Sequence, residues 1–301
     1  MLGTSEQVSY RFDFLKYRYI WIAVSILYLI IGVVAYITLG GFRYHIDFVG
    51  GAEVRVLFEK PMDISVIRNV MSSKGFSHAE IQAIGGTTKN FLIRLGAQKE
   101  SGFDKKILAA LETGITDNKV KIDNVEWIGA EVSSETTWNA VKAIFLAILL
   151  LLLYLAFRFQ FRFGVGAVVA TLHDLLAVLT FLVLTREMIS VHVMAAILAI
   201  LGYSVNDTIV IFSRIRENLK KFHNLSEYDI VNLSINQTLK RTLLTSFATL
   251  LSVIAIFLLG GETLRGLSLV MLIGIIVGTY SSIYIASPVM MAIKNKAKTN
   301  Q

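Results

Sequence analysis

Gly202-Tyr203-Ser204-Val205-Asn206-Asp207-Thr208-Ile209-Val210-Ile211-Phe212 closes an apolar run, residues 189–212, that reads as one membrane-crossing helix. Such a helix takes roughly 20 mostly apolar residues to cross about 30 Å of hydrocarbon. Asp207 is the anomaly within it. A bilayer core does not solvate a carboxylate, so an acid there faces protein or a water-filled cavity and marks an ion or proton site. The plainer reading is a protonated acid that only hydrogen-bonds a neighbouring helix.

Five more stretches have the same character: 19–39, 138–157, 163–184, 243–259 and 267–293. Apolar residues make up 54% of the chain and charged ones 17%, a composition outside the range of ordinary soluble domains. The expected class is an α-helical membrane protein with six transmembrane helices. The first run is too long for the apolar core of a secretion signal, and no small-residue cleavage site follows it, so it reads as a retained anchor.

Lys and Arg near the ends of the runs set the expected orientation. Arg11, Lys16, Arg18, Arg158, Arg162, Arg214, Arg216, Lys220, Lys221, Lys240 and Arg241 share one side with Lys294, Lys296 and Lys298; Arg186 and Arg265 lie on the other. Both termini are thus expected in the cytoplasm. Residues 1–18 form the N-terminal segment, 19–40 the first helix, and 41–137 a head outside, in the periplasm of a bacterium. Residues 138–293 form a five-helix bundle with a cytoplasmic loop at 213–242, and 294–301 a cytoplasmic tail. Within that loop Ser226 caps a stretch reaching Arg241 that reads as an interfacial helix. The net charge of +7 belongs to these loops and points to no nucleic acid. The absence of cysteine removes disulfides and thiol chemistry.

The head alternates as strands do. Val54, Val56 and Phe58 face one way in 52–59. Asp63 caps a helix carrying Ile64, Ile67 and Met71, which Gly75 ends. Strands at 79–84 and 91–95 flank a Gly85-Gly86 turn. A second helix carries Phe103, Ile107, Ala110 and Leu111 to Gly114, and 119–128 closes the set with its alternation slipping between Ile122 and Val125. The order β-α-β-β-α-β is that of an α+β ferredoxin-like domain. His45 and His78 read as isolated bystanders. The root of the head, Asp47-Phe48-Val49-Gly50-Gly51, is either a turn or a hinge, since Asp47, Gly50 and Gly51 permit a sharp reversal.

In the membrane half, Gly274 and Gly278 have the spacing that lets helix backbones approach, and Gly164, Gly166 and Gly202 allow the same. Arg241 opens the fifth run on the same side as Asp207, at similar depth. It either favours the ionised carboxylate or is a topological charge that snorkels. Asp174, after His173, is either a relay group or a hydrogen-bonding clamp. Asn206, Ser204 and Thr245 are candidate partners of the Asp207 carboxylate. No metal-ligand spacing, nucleophile or acid pair stands out, so neither an enzyme nor a cofactor is expected.

Taken together, these strings resemble the SecF family of bacterial Sec protein-export subunits. The Gly202–Val210 string with Ser213-Arg214-Ile215-Arg216-Glu217-Asn218 is similar to the family's fourth span. Asp47-Phe48-Val49-Gly50-Gly51 is similar to its D-F-x-G-G root, Arg241-Thr242-Leu243-Leu244-Thr245-Ser246 to its fifth span, and Leu272-Ile273-Gly274 through Ser281-Ser282-Ile283-Tyr284 to its last. Gly129-Ala130-Glu131-Val132-Ser133-Ser134 departs from the usual pattern beneath the head. The resemblance implies a place in the resistance-nodulation-division superfamily and action with SecD and the SecYEG translocon on a translocating polypeptide. It implies export across the cytoplasmic membrane driven by the proton-motive force. It also implies proton-pathway positions for Asp207 and Arg241, with Asn206 beside them and Asp174 in support. A proton-coupled small-molecule exporter half of the same superfamily is the competing expectation.

Overall fold

The computed structural model describes residues 11–76, 79–84, 87–96 and 103–293, excepting the side chains at 103, 104, 156 and 262. His78 and the Gly85-Gly86 turn lie outside the described residues. Among the described residues, six helices are long and apolar enough to cross a membrane. Helix α1 (Arg18–Thr38) leads to a short strand β1 (Arg43–Tyr44) and a single turn α2 (Ile46–Val49). The small domain follows: β2 (Gly51–Phe58), α3 (Ile64–Ser73), β3 (Glu80–Ala83), β4 (Asn90–Leu95), α4 (Phe103–Gly114) and β5 (Val120–Ile128). Then come α5 (Ala130–Arg158), α6 (Phe161–Thr185), strand β6 (Met188–Ile189), α7 (Val191–Lys221), α8 (Glu227–Leu259) and α9 (Gly261–Ser281). A π-helical turn (Ser282–Ala286) and α10 (Ser287–Ala292) complete the chain.

The four-stranded sheet runs β3-β4-β2-β5, with every neighbour antiparallel. This is the split β-α-β arrangement that the alternation predicts. Val54, Val56 and Phe58 on β2 and Phe91 and Ile93 on β4 are buried against Ile67 and Met71 of α3 and Ile107 and Leu111 of α4. Asp63 caps α3 by accepting from the Ser65 N–H at 2.7 Å. The slip seen in the alternation is a bulge: Arg55 faces Asn124 while Val56 faces Ile122, leaving Asp123 out of register with β2.

Helix α7 is the axis of the membrane half, packed by α6, α8 and α9, whereas α5 is almost wholly exposed. Ser190 caps α7 by accepting from the Val193 N–H, and Lys220 and Lys221 complement the dipole at its other end. Gly274 and Gly278 are packing residues: a Cβ at Gly274 would overlap the Ile200 side chain, and one at Gly278 would lie 2.9 Å from the Ser204 Cβ. Gly202 is not. A Cβ there meets nothing within 4 Å, because Gly202 lies on the exposed face of α7. The close contacts instead include Gly32 of α1 against Thr180 and Gly166 of α6 against the Ala286 carbonyl.

The expected loop at 213–242 is mostly helix. Helix α7 continues to Lys221, and α8 starts at Glu227 and runs without a break to Leu259, so no separate interfacial helix exists. Neither Gly nor Pro interrupts residues 227–259, which leaves the hydrogen-bond ladder nothing to break on. The first turns of α8 are fastened by the N-terminal segment. Tyr228 donates to Asp13 at 2.6 Å, and the Phe14 N–H donates to Asn232 at 3.0 Å.

Candidate functional site

Two carboxylates lie inside the bundle, and their surroundings differ. Asp174 of α6 is completely buried. Its Oδ1 meets His173 Nδ1 at 2.9 Å, and its Oδ2 accepts from the hydroxyls of Ser204 on α7 and, at 2.8 Å, Ser281 on α9. Three helices thus converge on one saturated carboxylate, whose buried oxygens all have partners. Beside it, Thr208 and Ser282 share a hydroxyl contact of 2.9 Å between α7 and the π-helical turn. Single π turns inside helices are found disproportionately at functional sites.

Asp207 stands nearly as deep, at 2% exposure, but is held loosely. Thr279 Oγ1 of α9 lies 3.4 Å from its Oδ2, a distance at which a hydrogen bond is weak, and Ser246 of α8 is a second side-chain partner. The Thr279 hydroxyl also lies 2.7 Å from Ser246 Oγ and 2.9 Å from the Ile275 carbonyl. One proton cannot serve all three neighbours. Two hydroxyls and a carboxylate from α7, α8 and α9 therefore form an under-saturated cluster in which a proton has more than one place to reside.

Arg241 does not join this cluster. Ser246 and Thr242 face inward on α8, and Arg241, one residue from Thr242, is turned about 100° away to an exposed face. No ion pair joins it to Asp207 within 4.0 Å among the described residues, and the two interact electrostatically over a longer distance. Asn206 is exposed, turned about 100° around α7 from the buried Asp207. Ser204 serves Asp174 instead, and the Thr245 hydroxyl returns to the backbone of Arg241 and Thr242. Thr279 and Ser246 are the groups that sequence reading missed or left unassigned. Their signal was a hydroxyl directly after the Gly274/Gly278 pair and the Ser that ends the Arg241–Ser246 string.

The root of the head holds a further polar cluster. β1 pairs in parallel with β6, Arg43 opposite Met188 and Tyr44 opposite Ile189. Asp47 Oδ2 accepts from the Val191 N–H at 2.9 Å, at the start of α7. His45 is no bystander: its ring lies 3.1 Å from Asp47 and 3.2 Å from Glu53, and Glu53 in turn accepts from Arg94 at 2.5 Å. Gly50 and Gly51 follow with φ of 70° and 135°. A Cβ at Gly51 would overlap the Leu95 carbonyl, so glycine is required there by space as well as by conformation.

Residues 108–296 match the family model described as protein export membrane protein SecD/SecF, C-terminal. The protein translocase subunit SecF of Thermodesulfovibrio yellowstonii is 39% identical over 283 residues, covering 93% of this chain and 93% of that one. The subunit of the same name from Gemmatimonas aurantiaca is 36% identical over 295 residues, covering 95% and 88%. Among solved structures, SecDF from Thermus thermophilus, described as a translocon-associated membrane protein, superposes with a TM-score of 0.84 at 35% identity. SecDF in a super-membrane-facing form superposes with a TM-score of 0.69 at 36% identity. Both matches cover 97% of this chain but 40% of the solved chain, so the chain spans about two fifths of their length. On the extent of the family match and the identity to these full-length relatives, the chain belongs to the SecD/SecF family of protein export membrane proteins.

Proposed function

We propose that this chain is a protein translocase subunit that works with a SecD-like partner and uses the proton-motive force to drive late export of polypeptides through the SecYEG channel. The observation that carries the reading is the contrast between the two buried acids. Asp174 is saturated by three helices and acts as a clamp. Asp207 is under-saturated, beside hydroxyls from two other helices, and acts as the group that loads and releases the proton. One charge crossing 100 mV yields about 2.3 kcal/mol, enough to bias two conformations of comparable energy. Arg241, exposed in this arrangement, tunes Asp207 through its charge and lines the proton's path with it, with Asp174 in support.

In this reading the chain is a multi-pass protein of the bacterial cytoplasmic membrane. Both termini are cytoplasmic and the head at 41–137 is periplasmic in this reading, which the distribution of Lys and Arg supports. It is a transport subunit and makes no covalent bond. Two surfaces favour a large second subunit. β5 is an edge of the sheet with a free side among the described residues, and α7 exposes Gly202 and Asn206 on a helix otherwise well buried. The solved SecDF chains, two and a half times the length matched here, are consistent with such a partner.

The test is purification from membranes followed by an export assay. Recovery of a SecD-like subunit and the SecYEG channel, with export that depends on the proton gradient in parent and not in Asp207→Asn, supports the reading. Recovery of neither, or a small-molecule efflux phenotype, overturns it.

A further inference from the structure

The root of the head crosses from bundle to sheet within a few residues, and charged groups bridge that crossing. On the bundle side, β1 is paired with β6, the His45 N–H donates to the Ile189 carbonyl at 2.9 Å, and Asp47 receives the first N–H of α7. On the head side, Glu53 of β2 is held by Arg94 of β4. Between them lie Gly50 and Gly51, the only residues of this stretch with positive φ. We propose that His45 is the charged pin of a latch that fastens the head to the N-terminal end of α7, the helix that carries Asp207.

Donor counting supports the pin before any titration is considered. Each ring nitrogen of His45 faces a carboxylate oxygen, Asp47 at 3.1 Å and Glu53 at 3.2 Å, and carboxylates only accept. The Asp47 N–H also reaches Nδ1, at the longer distance of 3.4 Å, but only imidazolium donates to both of the closer carboxylates. The ring is well covered, with 16% of its side chain exposed, against 11% for Glu53, so the pair is screened less than a surface pair. Arg43 of β1 pairs with Glu80 of β3 across the same crossing, but both are more exposed and the contact holds less. Among the described residues, the other titratable groups that act on the latch are Arg94 on Glu53, His192 on Asp47, and Arg186 and Glu187 on Arg43.

The pH window follows from these contacts. Burial opposes the charge on His45, but the bonds to Asp47 and Glu53 outweigh it and raise the ring from 6.5 to about 9. A raised pKa means the fastening is complete below 6.5 and is lost as pH rises through about 9. Burial likewise opposes the charges of Asp47 and Glu53, yet their bonds to His45 and their other partners bring both below their ordinary values. Their share is therefore present above the ordinary carboxylate range and is lost only in acid. At neutral pH the latch is therefore closed.

The inference does not rest on the export reading, and neither does its test. The chain has no cysteine, so spin labels at Lys121→Cys in the head and Thr185→Cys at the end of α6 report their separation in the full chain in lipid nanodiscs. The expected result is a narrow distance distribution at pH 7 that broadens as pH passes about 9. In His45→Gln it is broad at pH 7 and indifferent to pH, while hydrogen exchange of the β2 and β4 amides stays at the parent level. Asp47→Asn broadens it as well. A parent distribution unchanged from pH 7 to 10, or a His45→Gln distribution as narrow and pH-sensitive as the parent's, overturns the latch. Should His45→Gln fail to fold, the parent titration and Asp47→Asn decide alone.

Discussion

Thr279 of α9 lies 3.4 Å from the Asp207 carboxylate, closer than any charged side chain among the described residues. The acid buried in α7 therefore meets a hydroxyl, itself shared with Ser246, and makes no ion pair with Arg241, which the sequence left open as either a partner or a topological charge. A carboxylate that meets two hydroxyls and no paired cation changes protonation without breaking an ion pair, which is the property a proton carrier needs. The first prediction follows directly. Asp207→Asn preserves shape and leaves folding and assembly intact, while the proton-dependent increment of export falls to background in inverted vesicles. Thr279→Val lowers that increment and moves its pH midpoint, and Thr279→Ser restores it. Full proton-driven export by Asp207→Asn in an assembled complex would reduce the residue to a structural one.

Asp174 is expected to behave in the opposite way. Removing its carboxylate strands His173 Nδ1 and the hydroxyls of Ser204 and Ser281 in the middle of three packed helices. Each buried polar group left unpaired costs about 1–3 kcal/mol. Asp174→Ala should lower the melting temperature in detergent and reduce yield, with the loss of activity tracking the loss of folded protein. A variant with parent stability but no proton-dependent export would instead make Asp174 part of the relay.

Arg241 acts over distance, so its charge should matter more than its shape. Arg241→Lys keeps the charge and is expected to retain most activity, because no planar guanidinium–carboxylate pair exists in this arrangement to be lost. Arg241→Met removes the charge and should lower proton-driven export. Equal impairment by both substitutions would show that the fork-shaped pair forms in another state of the protein.

Glycine packing separates two helix faces. Gly278→Ala puts a Cβ 2.9 Å from that of Ser204 and Gly274→Ala puts one into Ile200, so both should loosen α7 against α9 and lower thermal stability. Gly202→Ala meets nothing within this chain and should leave the isolated chain unchanged. If Gly202→Ala nonetheless weakens recovery of a SecD-like partner, the exposed face of α7 is the docking face.

Much of this protein was legible as linear pattern. Long apolar runs and period-two alternation are local properties, because burial of a strand face or a helix surface selects side chains one residue at a time. They were enough to read six helices, the β-α-β-β-α-β order and a slip in alternation between Ile122 and Val125, which the sheet register shows to be a bulge. The anomaly of Asp207 was equally plain, since any charge in an apolar run is costly wherever the run packs. What pattern did not contain was direction about the helix axis. Arg241 and Thr242 are adjacent in the chain yet about 100° apart around α8, and only the packing of α8 on α7 and α9 decides which of them turns inward. The same rotation puts Asp207 inside and Asn206 outside on α7. His45 looked isolated because its partner Glu53 lies beyond two glycines, and Asp47 meets Val191 only because β1 and β6 pair. Which helices are apolar is written in the residues themselves; which of their polar groups meet is decided by how the helices turn toward one another.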